Sequence, residues 1–350
     1  MHELIAREFG GRVRGVLNAP SVGVPPACAL RALRAATERW AAGAAQPADY
    51  DADVERTRAS FARICRVPTT AVSLGAQVSY FVGLVASSLA PGAEVVAYER
   101  DFASVLFPFL ARGDLRVKML DDVDALPDAI TPRTALVAVS AVQSADGRTA
   151  PLQEIRRAAR ASGTMTLVDT TQAAGWLPLD AGGFDVTVCA AYKWLLCPRG
   201  VAAMTIAPER IDWLRPLAAG WYAGENPWTS VYGPRMELAS DARRFDVSPA
   251  WMSFTGAAPA LELIERLGVE RIHARVLALA NGVRDRLGQA PDASPILSLP
   301  APGAAERLAA AGISCAVRAG RARVGLHFYN DEEDSDRLVS AVLAPSLSGQ

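Results

Sequence analysis

An α/β fold with a mainly parallel sheet is what this sequence predicts, on three observations. Short apolar runs alternate with helical patterns of ten or more residues through the first two hundred positions, the spacing that parallel strands need because their connections must cross over. Hydrophobic residues make up 51% of the 350, enough to bury a large core. Val168-Asp169 places a carboxylate where an apolar strand ends, the edge at which open α/β sheets bind ligands.

In chain order, the pattern predicts helices over 29–43 and 51–65. The small-residue turn Ser73-Leu74-Gly75-Ala76-Gln77 ends a strand and opens a helix over 77–89. A strand at 94–98, a helix at 103–111 and strands at 115–120 and 134–139 follow. Next come an amphipathic helix at 151–162 and strands at 164–168, 184–189 and 201–206. The stretch 218–251 is rich in Gly, Pro, Trp and Tyr and lacks periodicity, as functional or interfacial loops do. Beyond it, 256–287 predicts a long helix broken near Gly268. Strands at 296–299, 313–317 and 322–326 and helices at 303–311 and 332–343 complete an α+β tail. The expected organisation is an N-terminal arm (1–15), a large domain (16–254) and a small C-terminal domain (255–350).

Charge excludes several functions. The 36 basic and 37 acidic residues nearly cancel, giving no electrostatic reason to expect nucleic acid or an acidic membrane. No apolar run reaches membrane-spanning length and no secretory h-region opens the chain, so a cytoplasmic protein is expected. Five cysteines without a C-x-x-C pair and three dispersed histidines argue against a metal site or a disulfide framework.

Of the basic residues only two are lysines, Lys118 and Lys193. Lys118 stands beside Asp121-Asp122, an ordinary setting for a surface salt bridge. Lys193 lies between Cys189-Ala190-Ala191 and Trp194-Leu195-Leu196, where desolvation would lower its pKa and favour a nucleophilic amine. Asp169 precedes it, with Gln172 three residues on. A carboxylate near such a lysine suits a pyridoxal ring, whose nitrogen it would keep protonated. The small residues at 75–77, opening a helix, suit a phosphate.

On the D-x-x-Q … Y-K-W spacing, the sequence resembles the class V aminotransferase branch of fold-type I pyridoxal-phosphate enzymes. That branch holds cysteine desulfurases, kynureninases, isopenicillin N epimerase-like proteins and C–S lyases. The resemblance runs from Leu17-Asn18-Ala19-Pro20 to His327-Phe328-Tyr329-Asn330. It implies a seven-stranded large-domain sheet, pyridoxal 5′-phosphate as cofactor, a small amino acid as substrate and a homodimer with shared active sites. By the same resemblance Lys193 is the Schiff-base lysine and acid/base, and Asp169 partners the pyridine nitrogen. Gln172 donates to the ring hydroxyl, and Gly75, Ala76 and Gln77 form the phosphate cup. Phe102 stacks on the ring, Tyr192 binds the phosphate, and Ser248 reaches it across the dimer interface. Arg323 grips the substrate carboxylate, with Asn18 beside the substrate.

Departures from the family are equally informative. Ala190 replaces a phosphate-binding serine. Val317-Arg318-Ala319-Gly320 runs almost directly into Arg323, leaving no room for the desulfurase cysteine loop, and Cys315 precedes the turn. Gly220-Trp221-Tyr222-Ala223-Gly224 is similar to a kynureninase segment without its histidine. The expected reaction is a β-elimination of the C–S lyase kind, with transamination as the alternative, ahead of epimerisation or a non-catalytic homologue.

Overall fold

A computed structural model describes residues 1–300 and 302–345; residues 301 and 346–350 of the expected small domain lie outside the described residues. Among the described residues ten strands form two sheets. The larger contains β1 (Val72–Gly75), β2 (Glu94–Tyr98), β3 (Arg116–Leu120), β4 (Thr134–Ser140), β5 (Met165–Asp169), β6 (Val186–Ala190) and β7 (Ala202–Ile206). Their order is β1-β7-β6-β5-β4-β2-β3. β3-β2-β4-β5-β6 pair in parallel, whereas β7 runs antiparallel to both β6 and β1.

Helices cover both faces, so the central strands are buried almost throughout and mostly apolar rather than alternating. β4 reads Thr-Ala-Leu-Val-Ala-Val-Ser and is buried except at Ala135. β3 is the exception, an edge strand with Arg116 and Lys118 exposed, the charged rim that discourages edge pairing. Lys118 does not make the expected salt bridge with the neighbouring aspartates. Asp122 pairs with Arg148 at 2.8 Å instead and accepts from the Asp124 N–H.

The smaller sheet is antiparallel, in the order β8 (Ile296–Leu299), β10 (Arg321–Gly325), β9 (Ala316–Arg318). The expected strand at 313–317 shrinks to these three residues, since the chain at Ile313-Ser314 bridges to Val16 instead. A second bridge joins Asn18 to Gly325, so the N-terminal segment is stitched to the small sheet. The first residues also form a helix, His2–Phe9, within the expected N-terminal arm. The long C-terminal helix is broken at Gly268, φ +82°, into Trp251–Leu267 and Val269–Arg286. The first half packs on helices Ala27–Ala41 and Asp51–Cys65, so the division expected at 254/255 runs within a helix. Gly256 faces Leu33 and Pro198 so closely that a Cβ would overlap Pro198.

One buried ion pair ties the layers together. Arg58 donates to Asp246 at 2.7 Å with both side chains almost fully enclosed. Asp246 also accepts from the Leu74 N–H and the Ser73 hydroxyl, so it fixes the end of β1 from which the turn at 75–77 departs.

Candidate active site

β5 and β6 are parallel neighbours, and both end at the same edge of the sheet. Asp169 is the last residue of β5, opposite Val188 of β6. β6 ends at Ala190, and the chain then turns through Tyr192 and Lys193 before returning as β7. That turn is closed by Leu196 N–H to Lys193 C=O and Cys197 N–H to Ala191 C=O. Leu196 adopts φ +60°, a left-handed conformation that a leucine holds only under tertiary constraint. Trp194 and Leu195 supply it, packing against Gly175, where a Cβ would strike the Leu195 side chain.

One cavity gathers most of the expected residues: Ala76, Gln77, Phe102, Asp169, Gln172, Tyr192 and Lys193 all line it. Lys193 is only 6% exposed. Its amine lies 5.2 Å from the centre of the Phe102 ring and 5.8 Å from that of Tyr192. Burial lowers the amine pKa to about 8, against the opposing charge of Asp169, with Arg323 adding to the fall. Burial likewise raises the Asp169 carboxyl to about 6, opposed by hydrogen bonding from Thr171 and by the charge of Lys193. The two groups line one cavity without forming a contact ion pair. Such opposed shifts mark sites built for proton transfer more often than for stability.

Phe102 is held from below. Its N–H donates to Asp101, whose carboxylate also accepts from the backbone and hydroxyl of Ser140 and from Gln143. At the other end, Gln77 precedes helix Val78–Ser88 without a side-chain cap bond, leaving the first N–H groups turned to the cavity. Gly75 does not line the cavity; its Cβ would overlap the Phe81 ring, so it shapes the turn rather than touching a ligand.

Arg323 lies on β10 and is 1% exposed. Nη1 donates to Ser144 C=O at 2.5 Å, and Nη2 donates to Ser21 at 2.7 Å and Asn18 at 3.4 Å. Its Nε has no partner, and no carboxylate of the described residues pairs with it. Burial, and then Arg318, lower its pKa to about 10. Ser248 is exposed and lines no part of its own chain's cavity.

Sequence reasoning missed Ser79, Ser104, Ser144 and Arg199 in the lining. The serines carry no local signal. Arg199 does: it follows the lysine by six residues in a Pro-Arg-Gly turn. Its guanidinium lies 5.3 Å over the Tyr192 ring.

The profile of the class-V aminotransferase family matches residues 75–302, about two thirds of the chain and all of the large sheet beyond the start of β1. The chain belongs to the class-V aminotransferase family. It is 31% identical over 363 aligned positions to isopenicillin N epimerase of Streptomyces clavuligerus, covering 88% of this chain and 89% of that protein. It is 29% identical over 321 to an uncharacterised aminotransferase of Bacillus subtilis, covering 84% of each. Among solved structures it is similar to a cystine C–S lyase in complex with its product cysteine persulfide, with TM-score 0.86 and 21% identity over 96% of this chain and 99% of that one. A cysteine desulfurase from Thermococcus onnurineus gives TM-score 0.83 and 18% identity over 97% and 96%. These likenesses place the fold as fold type I. The cofactor is pyridoxal 5′-phosphate, and the lining fits it. A buried carboxylate, a primary amine with depressed pKa, an aromatic face and a helix N-terminus with an open first turn surround one cavity.

Proposed function

We propose that this chain is a pyridoxal-phosphate enzyme that cleaves S-substituted cysteines by β-elimination. The observation that carries an amino-acid substrate is Arg323. It is a buried cation with an unpartnered Nε and no counter-ion among the described residues, an arrangement too costly to leave without an anion. A substrate α-carboxylate supplies one, and Asn18, Ser21 and Ser144 already fix the plane of the guanidinium.

The cofactor, when bound, supplies an aldehyde that links covalently to amines and a ring that draws electrons from the substrate α-carbon. The residues then divide the work. Asp169 would lie against the ring nitrogen and hold a proton there, its burial suiting a charged partner. Phe102 covers the ring face, and Asp101 holds Phe102 in place. Ala76, Gln77, Tyr192 and Arg199 would hold the phosphate, Arg199 being the second cation of the lining beside Lys193. Lys193, a cavity-lining amine whose pKa burial lowers, would take the substrate α-proton. Cleavage of the C–S bond would leave its electron pair on sulfur, and hydrolysis of the three-carbon amine left over would yield pyruvate and ammonium. The balance is RS–CH2–CH(NH3+)–COO− plus water giving RSH, pyruvate and ammonium. The protein is proposed to act as a homodimer in which Ser248 reaches the partner's phosphate, since it cannot serve its own.

Elimination is favoured over persulfide formation on the protein by the β9–β10 turn. Ala319 and Gly320 alone separate the two strands, leaving no loop to carry a cysteine to the amine. Cys315, the cysteine next to this turn in sequence, does not line the cavity. The likeness to a cystine C–S lyase supports the same outcome.

The test is incubation of the holoenzyme with S-substituted cysteines, with and without an α-keto acid. Pyruvate and ammonia without the keto acid are expected. Turnover that requires the keto acid would replace this reading by transamination, and solvent deuterium entering Cα without C–S cleavage would replace it by epimerisation.

A further inference from the structure

Gln172 is held at both ends of its carboxamide. Oε1 accepts from the Trp194 indole N–H at 2.8 Å, and Nε2 donates to the Pro20 carbonyl at 3.0 Å. All three residues are buried. An indole N–H only donates and a peptide carbonyl only accepts, so each neighbour separately specifies the same orientation, and the usual ambiguity of an amide is removed. Pro20 uses one N–H of the amide nitrogen. Gln172 also lines the cavity, and the second N–H is free to face it.

Trp194 is itself immobilised. The His327 ring stacks on the indole at 5.2 Å and 17°. His327 Nε2 meets the Trp194 carbonyl at 3.1 Å, while Nδ1 accepts from the Phe328 N–H, which places the ring proton on Nε2. Burial pushes the His327 pKa down to about 3, so this support does not change charge over the range in which enzymes work.

We propose that Trp194 is a positioning residue that holds the Gln172 carboxamide with its nitrogen toward the cofactor's ring oxygen. This rests on the reading above that Gln172 borders that oxygen. Without the indole, Oε1 becomes a buried acceptor lacking a donor, a costly state. The amide then turns toward the donors lining the cavity and presents oxygen where nitrogen is needed. A donor at the ring oxygen withdraws negative charge that otherwise holds the proton of the lysine–cofactor linkage, so its loss moves that proton's pKa upward.

The experiment is the pH titration of the visible absorbance of the holoenzyme in wild type, Trp194→Phe, Gln172→Ala and the double variant. Each single change raises the midpoint by roughly half to one pH unit, the size of one neutral hydrogen bond, and the double variant moves no further than Gln172→Ala. A wild-type midpoint in Trp194→Phe beside a shifted one in Gln172→Ala overturns the proposal and leaves the placement of Gln172 standing. Additive shifts overturn it as well. An unmoved midpoint in Gln172→Ala overturns the placement of Gln172 and the proposal with it. If Trp194→Phe does not fold, a crystal structure of the wild-type holoenzyme decides. Nε2 within hydrogen-bond distance of the ring oxygen and the indole on Oε1 support the proposal; an indole bonded elsewhere overturns it.

Discussion

β5 and β6 carry an aspartate at each end of the pair, and the two ends are built differently. At the amino end, Asp185 accepts from Arg210 at 2.7 Å and from both the N–H and the hydroxyl of Thr166. At the carboxyl end, Asp169 is more deeply buried yet has no contact cation; it accepts from the Thr171 N–H, and its charge is balanced at a distance by Lys193. The same two strands thus hold a satisfied structural carboxylate and an under-satisfied one. A burial cost without local compensation is what a ligand is expected to relieve.

Four measurements bear on that contrast. The largest effect is expected at the carboxyl end: Lys193→Ala should lower kcat by at least about a thousandfold, and borohydride should no longer fix cofactor to the chain. Next, the rate at which apoprotein captures pyridoxal phosphate should rise with pH through a midpoint near 8, where burial has placed the Lys193 amine, because only the neutral amine attacks an aldehyde. A midpoint near 10 would mean that the amine is solvated and the contrast false.

Stability separates the aspartates. Asp185→Asn should cost about 1–3 kcal/mol in urea unfolding at pH 7, by weakening bonds to partners left in place. Asp169→Asn should not cost the apoprotein comparably. The folded-state pKa of Asp169 is raised from 3.8 to about 6, so its stabilising contribution is complete below pH 3.8 and lost as pH rises through 6. Wild-type apoprotein should therefore weaken across that window more than Asp169→Asn. Smallest of all is Lys118→Ala, expected to change stability by no more than about 0.5 kcal/mol.

Much of this arrangement can be read from local sequence. β4, β5 and β7 are mostly apolar runs, and the helix Glu332–Leu343 begins as its Asp331 cap demands, with that side chain accepting from the Asp334 N–H. Asp169, Gln172 and Lys193 lie within one short stretch, so their spacing carries the chemistry. What escaped depends on partners far along the chain. An apolar strand has no intrinsic direction, and nothing in Ala-Ala-Met-Thr-Ile makes β7 antiparallel. The helix His2–Phe9 is too short to stand on propensity; Phe9 secures it against Phe328 and Tyr329. Arg58 finds Asp246 across 188 residues, and Asp51 gathers Tyr222 and Trp228 from the aperiodic 218–251 segment.

The stitching of Asn18 to the small sheet carries a consequence for the order of folding. Arg323 and Asn18 are 305 positions apart, among the most distant contacts in the molecule, and long loops close late because their entropy must be overcome first. The turn at 75–77, Asp169 and Lys193 all lie on strands and turns between 72 and 206. A folding chain is therefore expected to complete the half of the site proposed to hold the cofactor before the half proposed to grip the substrate. Cofactor present during refolding should be captured by an intermediate that cannot yet turn over an amino acid.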